Sequence, residues 1–366
     1  MNQYSNTVVN FAFCVDCSNT DELKEFIRSN YTEENRLALI EDAQRRKVLP
    51  VVGKKMVELN IDVDFWSGQY QYYLERNQKV TALLADIFCA FSEEGIRKIC
   101  AYENYGALLS SGVDIALYSS GDVDLFADIS ERERISQTLE KFEYYPTDDW
   151  NNKQGICTEY LKENGIIRIN VAWKPLIRYS LPIKSGFEKY FVWDEMRYYK
   201  ETAIRLPSTE TLLYLCFLRI AVHGYSRSPD IRLYIDTYTS SRHNPDWKTV
   251  MRWAKEDGVL TKFCAVAAIA NNLIKLEVPD YVLRTAENDK YVRKILKLTY
   301  DSNESSLLYY PSGWTLLKIE AASDSRNILQ EMFTMVCPPV SWLREYFGNC
   351  DENLLRVLIR YYKHFL

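Results

Sequence analysis

The chain has 366 residues, 47% hydrophobic and 14% aromatic with 27 Tyr, a composition that supports a sizeable core and excludes disorder over any long stretch. That length exceeds the ~100–200 residues usual for one domain and predicts two or three packed units. The net charge is −5 and no basic run is longer than Arg45-Arg46-Lys47, which excludes the electrostatic footprint of a long nucleic acid and leaves a nucleotide or small acceptor as the fitting partner.

Most of the nine cysteines stand alone in apolar runs such as Ile87-Phe88-Cys89 and Leu215-Cys216-Phe217, and read as small buried hydrophobes in a reducing compartment. Cys14-Val15-Asp16-Cys17 is a C-x-x-C that suits zinc or redox chemistry, but zinc needs two further ligands and none follows nearby. The first residues lack a basic stretch followed by an apolar one, and no apolar run approaches ~18–20 residues. The expectation is a cytoplasmic protein with no membrane partner.

From Thr20 to about Glu94 the pattern is helical. Leu23, Phe26 and Ile27 recur at three to four residues, then Leu37, Leu39, Ile40 and Ala43 do the same, with Pro50 breaking the second segment and further runs at 51–59 and 75–94 that end at Gly95. Between about 96 and 200 the period changes. Ile99-Cys100-Ala101-Tyr102 and Val123-Asp124-Leu125-Phe126-Ala127 are strand-like runs with a helix between them, and Glu131 to Phe142 is a helix entered through Ser130 as N-cap.

The clearest local signal is a hairpin. The runs 156–161 and 166–173 flank Asn164-Gly165, the pair preferred where both central turn residues take positive φ. On the second strand Ile167, Ile169, Val171 and Trp173 point one way, and Arg168, Asn170 and Ala172 the other, so one face is core and the other can face a site. After Leu206-Pro207-Ser208, with Ser208 as N-cap, Leu212 to Val222 is apolar almost all round and reads as a buried helix; helical runs continue to the end of the chain. The units are therefore 1–94 (helical), 95–204 (core with strands) and 205–366 (helical).

Ser119-Ser120-Gly121-Asp122-Val123-Asp124 enters a strand through a small-residue turn, and strand alternation sets both Asp side chains on one face. A surface strand with two solvated aspartates is the commonest reading of D-x-D alone. If the two converge to ~4 Å at an effective dielectric near ~20, their repulsion is of order 4 kcal/mol, which a cation or a shared proton relieves. Magnesium, which takes carboxylate and phosphate oxygens, is the natural relief.

The order strand, helix, small-residue turn, D-x-D strand, helix, hairpin resembles the minimal core of the DNA polymerase β-like nucleotidyltransferases. The resemblance is closest to an uncharacterised bacterial nucleotidyltransferase family with helical regions on both sides of the core. Its opening helix is matched by Ala43 to Pro50, its turn and D-x-D strand by Ser119 to Ala127, and its C-terminal signature by Leu206-Pro207-Ser208 through His223-Gly224, Arg232 to Asp236 and Asp246-Trp247, together covering most of residues 35–275.

That resemblance implies an α+β fold, with a small mixed sheet core flanked by N-terminal and C-terminal helical regions. It implies an Mg2+ (or Mn2+) dependent transfer of a nucleoside monophosphate from NTP to a hydroxyl or phosphate acceptor on a small molecule, peptide or protein. Asp122 and Asp124 would bind metal, with Asn170 at the third catalytic position, and Ser119, Ser120, Gly121, Arg168, His223, Arg232 and Asp236 at the nucleotide. Ser119 and Ser120 would position the triphosphate, and Arg168 would face the developing charge.

The departures are specific. Tyr105-Gly106 stands where the family has Lys-Gly, so a phosphate-gripping lysine is missing, and Asn170 is an amide where a carboxylate is usual, with Glu159 on the partner strand as a possible substitute. Arg219 and His223 occupy the places of two His, which removes a two-His metal site. His223 also reads as a hydrogen-bonded helix-end residue and Arg232/Asp236 as an i,i+4 surface pair. Tyr190, Phe191, Trp193, Tyr198 and Tyr199 either stack on a base or cover the sheet. The alternative function is a catalytically impaired nucleotidyltransferase-fold binding or scaffold protein.

Overall fold

Helical periodicity gives way to strand alternation where the sequence places the change. The computed structural model describes residues 3–13, 20–148, 157–173, 190–222, 225, 231–304, 340, 343 and 353–365. Five helices come first: α1 (Gln3–Phe13), α2 (Thr20–Ser29), α3 (Glu33–Arg45), α4 (Leu49–Glu58) and α5 (Val63–Glu93). Pro50 opens α4 within its first turn, where a backbone N–H has no partner to lose. Leu37 is 59% exposed, so α3 packs through Leu39 and Ala43 instead. The run expected from residue 75 begins at Val63, because fully buried Trp66 anchors the first turns of α5 against Gly53. Cys14 and Cys17 lie outside the described residues. Cys100, Cys216 and Cys264 are buried thiols, while Cys89 is exposed, contrary to its apolar sequence context.

The core follows as β1 (Ile99–Ala101), α6 (Glu103–Ser111), β2 (Asp122–Ala127), α7 (Arg132–Glu140), β3 (Tyr145–Pro146), β4 (Cys157–Leu161) and β5 (Arg168–Ala172), then the small pair β6 (Arg197–Tyr198) and β7 (Arg205–Leu206). The five-stranded sheet has the order β1-β2-β5-β4-β3, with β2 and β5 parallel and the other pairings antiparallel. One face, carrying Val123, Leu125, Ile169 and Val171, packs with α5 and α7 residues such as Phe88, Phe91, Ile135 and Leu139. The opposite face carries Asp122, Asp124 and Phe126 along β2 and Asn170 and Ala172 along β5.

Two local expectations shift. The helix after β2 is not capped by Ser130: Asp128 accepts from the Ser130 N–H at 2.9 Å and hydroxyl at 2.6 Å, closing a 3-10 turn before α7. The hairpin joins β4 to β5, but its tight turn is Lys162 to Gly165, closed by Gly165 N–H to Lys162 O at 2.9 Å with Asn164 at φ 55°. Gly165 serves by close approach, since a Cβ there would stand 3.0 Å from the Lys162 carbonyl oxygen.

The C-terminal helices are α8 (Thr209–Val222), α9 (Ile231–Ser241), α10 (Trp247–Glu256), α11 (Leu260–Ile274), α12 (Asp280–Asn288), α13 (Lys290–Glu304) and α14 (Leu354–Phe365). Ser208 caps α8 by accepting the Thr211 N–H at 3.1 Å, and Leu212 to Leu218 are buried on every side. α8 and α9 both pack on α6, which brings this region against the acidic strand. The architecture is α+β, a mixed sheet with helical regions on both sides. No helix among the described residues is long and apolar enough to cross a membrane.

Candidate active site

The turn that aims the two aspartates is tied down from three directions. Ser119 donates its hydroxyl to the Lys47 carbonyl at 2.6 Å, Arg76 of α5 donates from Nη2 to the Ser120 carbonyl at 2.7 Å, and buried Ser120 donates its hydroxyl to Asp122 Oδ1 at 2.6 Å. A Cβ on Gly121 would meet nothing among the described residues within 4 Å.

Parallel pairing sets Arg168 opposite Asp122 and Asn170 opposite Asp124. Asn170 Nδ2 lies 3.0 Å from Asp124 Oδ1 and 3.4 Å from Asp122 Oδ2. Asp124 is 7% exposed, and burial, then the Asp122 charge, push its carboxyl up to about 7, against the opposing Asn170 hydrogen bond and the Arg232 and Lys47 charges. Glu159 sits opposite Asn170 on β4, two strands from Asp124 and so ~10 Å away. It pairs with Arg168 at 3.1 Å; the Arg168 side chain is 54% exposed.

Behind the pair, Asn104 and Tyr118 come together with Arg232 and Asp236, of which the sequence connects only the last two. Gly106 lets α6 press on β1, for a Cβ there would stand 2.6 Å from the Ala101 carbonyl oxygen, a clash with backbone. This close approach brings Asn104 to the aspartates, where its Nδ2 donates to Asp122 Oδ1 at 3.1 Å and to Asp124 Oδ2. Arg232 and Asp236 of α9 are each 2% exposed and 3.2 Å apart, a buried pair rather than a surface one. Arg232 Nη1 donates to Asn104 Oδ1 at 2.6 Å and to the Tyr118 hydroxyl, which itself donates to Asp236 Oδ1 at 3.2 Å. Arg219 of α8 pairs with Glu103 and brings Nη1 to 3.8 Å from Asp124 Oδ2.

Of the residues singled out from the sequence, Ser120, Asp122, Asp124 and Asn170 are in mutual contact, and Ser119, Gly121 and Arg168 flank them. Arg232 and Asp236 stand behind Asn104, and His223 lies outside the described residues. Asn104 and Tyr118 were missed as site residues, with Glu103-Asn104 directly after a short apolar strand as their sequence signal, and Arg219 was noted only as standing in a family histidine's place. Phe191 and Trp193 cover the sheet, 3.9 and 5.7 Å from Phe126 between ring centroids, whereas Tyr190 packs on Tyr214 and Trp253 and donates to Asp257 at 2.6 Å, and Tyr198 is exposed.

A family model described as an uncharacterised nucleotidyltransferase matches residues 32–275, two thirds of the chain. The chain belongs to that family. The match begins just before α3 and ends after α11, so the nucleotidyltransferase family unit includes helices on both sides of the sheet as well as the acidic strand. No curated protein and no solved structure gives a significant match.

Whether the pair suits a divalent cation is a question of donor chemistry. Two carboxylates share one strand face, and Asp124 resists ionisation because of its burial first and the Asp122 charge second, a charge that a hard cation offsets. Among the described residues no cluster of three or more His, Cys, Asp or Glu side chains forms a metal site. The two aspartates fit magnesium in the way it is commonly held, through one or two carboxylates with phosphate and water oxygens completing the shell.

Proposed function

We propose that this family member transfers a nucleoside monophosphate from a nucleoside triphosphate to a hydroxyl or phosphate oxygen of a small molecule, peptide or protein, with release of pyrophosphate, in the cytoplasm. The observation that carries the reading is the Asp122/Asp124 pair on one sheet face, with Asn170 in register beside it, in a chain whose family is one of nucleotidyltransferases. Asp122 and Asp124 hold Mg2+ or Mn2+. A cation held there would supply positive charge to the triphosphate oxygens.

The chain's own residues bind and orient. Ser120 fixes the rotamer of Asp122 through its hydroxyl, and Asn170, where the family usually has a third carboxylate, donates its Nδ2 to both carboxylates and offers an oxygen only once its amide turns over. Ser119, Ser120 and Gly121 form the turn next to which the phosphates lie. Arg168 and Arg219 supply cationic charge on either side of the pair, in the role that a lysine after the first strand plays elsewhere in the superfamily. Arg232 and Asp236 act from behind, without touching the nucleotide. His223 is kept as a nucleotide-side candidate on the resemblance alone.

A binding or scaffold role is the second reading, and Asn170 favours it, since an amide at the third position weakens activation of the acceptor more than it weakens nucleotide binding. Incubation with Mg2+ or Mn2+ and each labelled triphosphate separates the two. Pyrophosphate release, with label on an acceptor or the protein, supports transfer. Tight nucleotide binding without pyrophosphate from any triphosphate supports the second reading.

A further inference from the structure

Two amides face the acidic pair, and they are held differently. Asn170 Nδ2 donates to Asp122 Oδ2 and Asp124 Oδ1, and Asn104 Nδ2 to Asp122 Oδ1 and Asp124 Oδ2, so each of the four carboxylate oxygens receives an N–H. These four charge-assisted contacts relieve the repulsion that a cation or a proton would otherwise relieve.

The carbonyl ends of the two amides differ. Asn170 Oδ1 takes no hydrogen bond from the described residues, so its amide turns over at the cost only of its own two contacts. Asn104 Oδ1 accepts from Arg232 Nη1 at 2.6 Å, with the Tyr118 hydroxyl oxygen 3.4 Å away and its single proton given to Asp236. Arg232 is in turn held by Asp236 at 3.2 Å and lies over the Tyr118 ring, 5.2 Å from its centroid. A guanidinium has donors and no acceptor, so reversing the Asn104 amide would set N–H against N–H. Its amino end is committed to the aspartates. The backbone accommodates this placement at a local cost: Glu103, next in the chain, takes φ 45°, a left-handed conformation that strains a non-glycine residue.

We propose that Asn104 is a positioning residue which, aimed by Arg232, Tyr118 and Asp236, clips Asp122 and Asp124 at the spacing in which they receive a divalent cation. The proposal rests on the reading of the pair as a cation site. It places the acidic strand under the control of α9, a helix outside the sheet core.

The test is Mn2+ binding to the full-length, nucleotide-free protein, measured by calorimetry for wild type, Asn104→Leu, Arg232→Lys and the double variant, with Asp124→Asn as control. Each single variant is expected to weaken Mn2+ by ~10–100-fold, the range for losing a residue that orients a metal ligand. The double variant should bind no more weakly than Asn104→Leu alone, because Arg232 acts through Asn104. Unchanged or tighter binding in Asn104→Leu overturns the proposal and makes the amide a plug; additive losses overturn the relay. A measurement on the wild type stands apart from folding of the variants. The Asn104 side-chain amide protons should exchange slowly with solvent in metal-free protein, and exchange at the free-solvent rate overturns the clip. If wild type fails to bind Mn2+, or Asp124→Asn binds it as well as wild type, the cation-site reading fails, while the amide exchange still decides the clip.

Discussion

Replacing Asp124 by Asn separates electrostatic cost from packing more cleanly than any other single change. Burial and the neighbouring Asp122 hold the Asp124 carboxyl at about 7 instead of its ordinary 3.8. Between those two values the folded state keeps a proton that the unfolded chain has released, so Asp124 lowers stability progressively as pH rises from about 4 to about 7, and by a constant amount above. Three units at ~1.4 kcal/mol each give ~4 kcal/mol for the whole window, of which ~3 kcal/mol falls between pH 5 and 8. Asp124→Asn keeps the shape and removes the ionisation, so its stability relative to wild type should rise by that ~3 kcal/mol over the same range. With an unfolding entropy of ~0.8 kcal/mol/K for a chain of this length, the gap in melting temperature should move by ~4 °C in the variant's favour. Thermal melts of both proteins in chelator at half-unit steps of pH make the comparison. Profiles that run parallel, with a constant offset from pH 5 to 8, would refute the claim that burial and the Asp122 charge raise the Asp124 carboxyl in the folded protein.

Asn170→Asp removes two N–H donors from the pair and adds a third carboxylate between Asp124 and Glu159. It should lower the melting temperature in chelator, enlarge the rise caused by Mn2+, and quicken pyrophosphate release if the amide limits transfer; an Mn2+ response identical to wild type counts against Asn170 as a neighbour of the cation. Gly106→Ala forces a Cβ against the Ala101 backbone and should cost ~2–3 kcal/mol in a urea melt while weakening Mn2+ binding, because Asn104 moves with α6. Asp257→Ala withdraws the shared acceptor of Tyr190 and Tyr214, at 2.6 and 2.7 Å, and should cost ~2–5 kcal/mol with Mn2+ affinity unchanged, which a melt and a titration check separately.

The sequence was most legible where one periodicity dominates. Alternation grouped Asp122 with Asp124 on β2 and Asn170 with Arg168 and Ala172 on β5, because a strand fixes which side chains share a face, but turning those two faces together took the family resemblance. Turn chemistry was legible only in kind: Asn164-Gly165 announced a hairpin, but the glycine answers to a close contact and the tight turn starts at Lys162. The first turns of α5 were hidden because Tyr and Gln carry no apolar stripe and tertiary packing of Trp66 supplies the reason to be helical. Asn104 and Tyr118 were illegible for a different cause. Their importance comes from contacts across 18 to 128 residues of sequence, which no local pattern encodes. The same distance made Arg232 and Asp236 look like a weak surface pair, when burial makes them the back wall of the site.

The span from Asn104 to Arg232 also sets an order of events during synthesis. A ribosome completes the last strand of the sheet at Ala172 well before it has made Asp236. At ~5–20 residues per second the acidic strand waits several seconds, and longer still while α9 clears the exit tunnel, before its buried arginine arrives. Nascent chains and products truncated before α9 therefore carry both aspartates without the group that aims Asn104 at them. Competence to hold a cation in the clipped geometry is acquired late, by chains that have already been translated through the helix that closes the site from behind.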